Sequence, residues 1–181
     1  DRAGRRWSTE AYVSMVNRTM NNRIANEMQD ERMNEYDIDL IEVSSHRGAR
    51  RLCAPFQGRI YSRNGTSDKY PPLSTTSYGR PAGLFGINCR HARFPYIEGV
   101  SIKRYDPYNE EENRKAYEES QRQRYLERRI REAKRELAMM EAIGDQEGIK
   151  EARRKLRERQ AIMRKFIEET GLTRRYEREQ I

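Results

Sequence analysis

Residues 83–99, GLFGINCRHARFPYIEG, place a cysteine and a histidine two positions apart in a Gly-rich loop bordered by aromatics. The chain of 181 residues holds only two cysteines and two histidines, and all four fall between positions 46 and 91: His46, Cys53, Cys89 and His91. Two thiolates and two imidazoles make the ligand set of a closed tetrahedral zinc site. A Cys-x-His spacing in an extended segment can turn both side chains to one side. Zinc fingers and ribbons use Cys-x2-Cys or His-x3-His pairs, and neither occurs here. The residue types therefore also suit two buried free cysteines beside two ordinary histidines. A catalytic Cys/His reading requires a base held against the nucleophile, and adjacency in sequence does not supply that geometry. No Gly-rich phosphate loop, paired-carboxylate motif or nucleophile elbow is present.

The stretch that carries these donors explains why a metal would be useful. Between Gly48 and Gly99 lie five of the six prolines and many of the glycines, with Tyr and Phe between them and few aliphatic residues. Such a segment gains little from burial, and a structural ion would clamp its ends, its binding energy serving as folding energy. Within it, FQGRIYS reads as a short strand, and RNGTSDKYPP and SYGRPAGLFG read as turns or loops.

The elements on either side would position the site. Residues 8 to about 33 read as an amphipathic helix capped by Ser8 or Thr9, with Tyr12, Met15, Val16, Thr19, Met20 and Ile24 recurring at helical spacing. YDIDLIEVSS, from Tyr36 to Ser45, alternates and is rich in Ile and Val, as a strand would be, and His46 follows it directly. From Asn109 charge dominates. Leu126, Ile130, Ala133, Leu137 and Met140 step by four and three, and a second seam runs through Ile149, Ala152, Leu156, Met163 and Phe166 or Ile167. Gly144, Asp145 and Gly148 break the two apart, and Thr170-Gly171-Leu172 reads as a C-terminal cap. The expected fold is α+β: an N-terminal helix, a small sheet with long metal-tied loops over residues 1–107, and a charged antiparallel helical hairpin over 108–181.

Composition bounds the partners. Lys and Arg number 37 against 29 Asp and Glu, giving a formal charge of +8, a pI near 9.6 and a mean hydropathy of -1.16. The hydrophobic fraction is 35% and the charged fraction 36%, so the core is small for the length. Eleven tyrosines argue against a disordered chain. A basic balance suits a polyanion such as nucleic acid, although interspersed acidic residues would equally give a solvated, salt-bridged surface. The arginines of RRIREAKRE and EARRKLRER are the candidate nucleic-acid contacts: Arg128, Arg129, Arg131, Arg153, Arg154 and Arg157. No stretch approaches the roughly 18 apolar residues of a membrane span, so no membrane partner is expected. Two cysteines do not form a secreted disulfide framework, which points to a reducing, cytoplasmic site of assembly.

Four segments carry a resemblance: GRRWSTEAYVSMVNRT (Gly4–Thr19), SSHRGAR with CAPFQGRIYS (Ser44–Ser62), GLFGINCRHARFPYIEG (Gly83–Gly99), and ENRKAYEESQRQRYLERRIREAKRELAMMEAIGD. In this order they resemble the phage minor capsid protein 2 family, itself similar to the Mu F-like head morphogenesis proteins. The resemblance implies a non-enzymatic virion component of tailed phages, made in the host bacterial cytoplasm and acting at the portal vertex or head interior in assembly and in DNA packaging or delivery. Its implied partners are the portal protein, the major capsid protein and packaged DNA, and a homo-oligomer in the particle is compatible with it. Mu F-like relatives end a Cys-rich segment in Cys-Arg-Cys, and Cys89-Arg90-His91 stands where that motif would fall. The position of Cys53 can be a His in the capsid family, an exchange intelligible at a metal ligand. The resemblance also implies a segment ahead of Gly4 in full members, a candidate portal-docking region that these residues do not include. The alternative is a small nuclease- or transferase-like effector carried in the virion, although the hairpin is followed by too few residues for the toxin domains that some relatives carry there.

Overall fold

The computed structural model describes Gly4 and residues 7–181; Arg5 and Arg6 of the first matched segment lie outside the described residues. The first element is α1 (Thr9–Glu35), opened by Ser8, whose Oγ accepts a hydrogen bond from the Ala11 N–H. Three short strands follow: β1 (Leu40–Val43), β2 (Ile60–Ser62) and β3 (Arg93–Pro95). They form one antiparallel sheet in the order β2-β1-β3, with Ile41 paired to Tyr61 on one side and Pro95 on the other. Two long helices, α2 (Glu110–Ile143) and α3 (Gln146–Thr170), complete the mixed α+β fold. Short 3-10 turns at Ala54–Phe56, Leu73–Thr75 and Tyr176–Glu179 supplement them.

The chain divides into two compact units, residues 1–115 and 116–181. In the first, Met33, Ile41, Val43, Cys53, Tyr61, Leu73, Leu84 and Cys89 form the buried cluster. Two of those eight are the cysteines, so the region of the candidate site and the core coincide. Polar groups fill much of the remaining interior. Glu42, 3% exposed, accepts the Arg104 and Tyr105 N–H groups at 2.7 Å each. Asn113 binds both the N–H and the carbonyl of Ala49.

The second unit holds the seams expected from the sequence. Leu126, Ile130 and Met163 are its buried cluster, packed by Leu156, Phe166 and Ile167. Gly144 at φ +79° lets the chain leave α2, and Asp145 caps α3 by accepting from the Gly148 N–H. Lys155 reaches Glu136 and Arg153 reaches Glu141, so the helices pair antiparallel as a hairpin. Gly171 at φ +67° ends α3.

The apolar face expected for α1 needs correction. Tyr12, Met20 and Ile24 are exposed, whereas Met15, Val16 and Thr19 are half-buried and Asn26 and Met33 fully buried. The inward face is partly polar because it serves the backbone of the candidate site loop, which a purely apolar face could not do. The expected strand over 36–45 shrinks to 40–43, since Tyr36 and the positive φ of Asp37 turn the chain out of α1 before pairing begins.

Candidate metal centre

Cys53 closes the turn after Arg50, its N–H donating to the Arg50 carbonyl at 2.8 Å just before the Ala54–Phe56 turn. Cys89 and His91 sit in the loop that leads into β3. That loop winds through consecutive tight turns, the Gly86 N–H bonding Gly83 and the Cys89 N–H bonding Gly86. Phe85 and Asn88 adopt left-handed backbone angles of +58° and +61°. A side chain at Gly83 would come within 1.8 Å of the Ser77 carbonyl oxygen, so only glycine fits there.

Helix α1 holds this loop from one side. The Asn88 N–H donates to Thr19 Oγ1 at 2.9 Å, and Arg18 donates to Asn88 Oδ1 at 2.5 Å. Asn22 Nδ2 donates to the His91 carbonyl, and Asn26 Oδ1 accepts the Arg93 N–H. Four polar residues on successive turns thereby fix residues 88–93. Thr19, Asn22 and Asn26 lie on the helical stripe begun by Met15, but the polar types of the two asparagines hide their inward position in the sequence.

The result is a compact donor set. One ligand atom each from Cys53, Cys89 and His91 lies within 4.8 Å of the others, and all three residues are buried. The two Sγ atoms are 3.9 Å apart, and Cys89 Sγ is 3.4 Å from His91 Nδ1. Ligands about 2.3 Å (sulfur) and about 2.05 Å (nitrogen) from a tetrahedral zinc stand about 3.8 Å (S···S) and about 3.6 Å (S···N) apart. The Cys53–Cys89 and Cys89–His91 pairs therefore stand close to the separations the ion demands, and the third pair lies within 4.8 Å.

The surroundings suit the ligand forms of these groups. Cys89 Sγ accepts the N–H of Phe85 at 3.2 Å and of His91 at 3.5 Å. A hydrogen bond from Cys53, followed by the His91 imidazole, pulls the Cys89 thiol far below its ordinary range, whereas the same sulfur pair and burial push Cys53 up. Cys89 is thus the more acidic thiol of the pair, and a cation bound between the two sulfurs would take the place of their shared proton. His91 Nε2 lies 3.2 Å from Gln57 Oε1, which leaves Nδ1 as the ligand atom and fixes the tautomer. Gln57, fully buried and absent from the sequence-based site, also accepts the His46 N–H through the same oxygen.

His46 lies beside the three donors and outside the set within 4.8 Å. Its ring stacks on His91 with centroids 4.5 Å apart, and its Nδ1 is 3.3 Å from the Arg47 carbonyl. Burial, then the proximity of His91, holds its imidazole below the usual range, so it is neutral at neutral pH.

The candidate nucleic-acid arginines distribute over both long helices. Arg129 pairs with Glu132 at 2.7 Å, Arg153 with Glu141 at 3.0 Å, and Arg154 with both Glu151 and Glu158. Arg128 and Arg157 are exposed. Arg131 donates to the Arg178 carbonyl. The described residues include no helix long and apolar enough to cross a membrane.

Comparison with known proteins gives this geometry its context. The family model described as phage minor capsid protein 2 matches residues 1–168. The chain belongs to the phage minor capsid protein 2 family. A structural protein of Lactococcus phage LL-H is 37% identical over 185 residues, covering 99% of this chain and 50% of that protein. A structural protein of Lactococcus phage mv4 is 41% identical over 114 residues, covering 62% of this chain and 93% of the relative. The chain thus spans about half the length of the LL-H relative. No solved structure matches this member of the family.

Proposed function

We propose that this chain is a non-enzymatic minor component of the phage head, folded around a structural zinc, that acts at the portal vertex or head interior in assembly and in packaging or delivery of DNA. The observation that carries the metal half is the meeting of Cys53, Cys89 and His91 at zinc-like separations. His46, stacked on His91 with ring centroids 4.5 Å apart and its Nδ1 near the Arg47 carbonyl, would supply the fourth ligand through Nε2 after a shift toward the other three. Zinc there would tie the turn before β2 to the loop before β3, supplying cross-links where aliphatic residues are few. Family membership carries the virion half.

The partners in this reading are the portal protein, the major capsid protein and packaged DNA, with copies of the chain arranged as an oligomer in the particle. Assembly takes place in the host cytoplasm, where both thiols stay reduced. The enzyme alternative has one observation in its favour, the 3.4 Å contact between Cys89 Sγ and His91 Nδ1, which resembles a nucleophile and its base. Both residues are only 1% exposed, and a nucleophile must meet its substrate. The same contact serves a metal without any opening.

The test is particle composition. Phage carrying Cys89→Ser in this gene should yield purified heads depleted of the chain, with portal and major capsid protein present. Wild-type particles should retain it together with zinc. Absence of the chain from purified wild-type heads would end the head reading.

A further inference from the structure

Cys53 and Cys89 are both free and buried, 36 positions apart in sequence, with their Sγ atoms 3.9 Å apart. A disulfide has a sulfur separation of about 2.05 Å, so the pair lies about 1.9 Å from bonding distance. Neither residue is held in a strand or a long helix. Cys53 precedes the short turn Ala54–Phe56, and Cys89 ends the run of tight turns from Gly83. A change of side-chain torsion with a small shift of either turn supplies the remaining approach.

The surroundings divide the work between the two sulfurs. Cys89 Sγ accepts the N–H groups of Phe85 and His91 and stands 3.4 Å from His91 Nδ1. These neighbours favour a negatively charged sulfur, the form that attacks an oxidant. Cys53 then occupies the place of a resolving thiol. The cover over the pair is thin: Leu52 is exposed next to Cys53, and Arg90 is exposed next to Cys89. Burial that shuts out a peptide or nucleotide does not shut out hydrogen peroxide, which is little larger than water and needs only a local opening of the turns.

We propose that Cys53 and Cys89 are an oxidation site, which hydrogen peroxide converts into an intramolecular disulfide, and that an ion held between them then leaves. The release of an ion rests on the zinc reading above, whereas the disulfide does not. In the first step the Cys89 sulfur attacks one peroxide oxygen; an S–O bond forms, the O–O bond breaks, and the hydroxide released takes the thiol proton and leaves as water. In the second, Cys53 attacks the sulfenic sulfur; the S–S bond forms, the S–O bond breaks, and hydroxide leaves with the Cys53 proton as a second water. Two thiols are oxidised by two electrons and one peroxide is reduced by two. Where an ion has already displaced the thiol protons, solvent supplies them. Metal and disulfide tie the same two turns, so oxidation exchanges one cross-link for another instead of opening the unit. Such an exchange suits a protein made in a reducing cytoplasm and carried outside it, as the head reading requires.

The test uses the purified full chain, zinc-free after chelation and separately zinc-loaded, treated with hydrogen peroxide in small excess. Remaining thiols are then blocked with iodoacetamide, and the chain is digested with trypsin without reduction. Peptides 52–59 and 70–90 carry the two cysteines and no methionine, so methionine oxidation does not enter the reading. In both states they should appear joined, about 2 Da below the sum of their masses, and separate with dithiothreitol. The zinc-loaded chain should release one zinc per disulfide to a colorimetric indicator. Cys53→Ser removes the resolving thiol, so peptide 70–90 should instead gain about 16 Da, an oxygen that dimedone traps. If that variant does not fold, the wild-type peptides still decide. Cross-linked dimers, wild-type cysteines that take up oxygen or stay open to iodoacetamide in either state, or zinc retained after the disulfide has formed would each overturn the proposal. A disulfide in a chain that never retains zinc would keep the oxidation site and remove the metal. A chain that binds zinc while its cysteines resist peroxide would do the reverse.

Discussion

Stripping the proposed zinc from the first unit is the perturbation with the largest calculated consequence. The donors are already at ligand separations, with Sγ atoms 3.9 Å apart and Sγ to Nδ1 3.4 Å, so binding needs little reorganisation of the folded chain. The unfolded chain offers no such set, because the donors are separated by 36 residues between Cys53 and Cys89. A ligand present at about a thousand times its dissociation constant adds about 4 kcal/mol to stability. For a unit of roughly this size, each kcal/mol moves the midpoint by about 4 °C. Chelation should therefore lower the melting temperature of residues 1–115 by on the order of 15 °C. Cys89→Ser should do the same in the presence of zinc, because it removes the sulfur that Phe85 and His91 orient through their N–H groups. Differential scanning calorimetry, with a strong chelator or with added zinc, reads the shift, and the transition of residues 116–181 serves as an internal reference. Metal analysis should give close to one zinc per chain. If neither chelator nor zinc moves the first transition, and Cys89→Ser melts with the wild type, the metal reasoning fails.

The remaining predictions address the supports of the site and the second unit. Asn26→Ala leaves the Arg93 N–H without its buried acceptor and should cost about 1–3 kcal/mol; zinc should then be lost to a weaker chelator, followed by a colorimetric zinc indicator. Met163→Ala opens the centre of the hairpin seam and should cost about 2–5 kcal/mol, shifting only the second calorimetric transition. Glu127 is held above its usual carboxylate range by burial, an effect that Arg178 and its neighbours oppose without cancelling. A raised acid favours the folded state below its unfolded pKa and loses that contribution as pH rises through the folded value. Glu127→Gln should therefore stabilise the second unit at pH 7 and lose this advantage near pH 4, as urea melts at the two pH values would show.

What the sequence disclosed depended on whether a residue acts through its own neighbours or through distant backbone. Ser8 capping α1, the Leu126–Ile130 and Met163 seams, and Gly171 at the end of α3 are local or periodic signals, and each stands where spacing puts it. The scarcity of thiols and imidazoles likewise marked the region where three donors meet. The inward face of α1 was illegible because Asn22 and Asn26 look like solvent residues until the loop carbonyl and N–H they serve are known. Gln57 carried no signal either, since its role is to hold His46 and His91 from one oxygen across 11 and 34 residues of separation. The return of residues 171–181 along α2 escaped for the same reason: it rests on polar contacts to Gln123, Arg131 and Lys134 rather than on an apolar period.

The two units answer one deficit in two ways. With 35% hydrophobic residues, the chain cannot fill two interiors with aliphatic side chains. The hairpin manages with a narrow seam because a helix satisfies its own backbone groups and needs only one face covered. The first unit has strands of three or four residues and a loop of turns, so its backbone groups must be satisfied from elsewhere. Asn22, Asn26, Gln57 and Asn113 do this, yet each adds a polar atom to the interior rather than apolar surface. A cross-link that adds stability without adding volume is what such an interior lacks, and the two buried cysteines stand at the point where the turn before β2 meets the loop before β3. Had those positions been plain core, valine or alanine would fill them at no risk of oxidation. The two N–H groups aimed at Cys89 Sγ favour a negatively charged sulfur there, and a buried charge lowers stability unless a cation completes it.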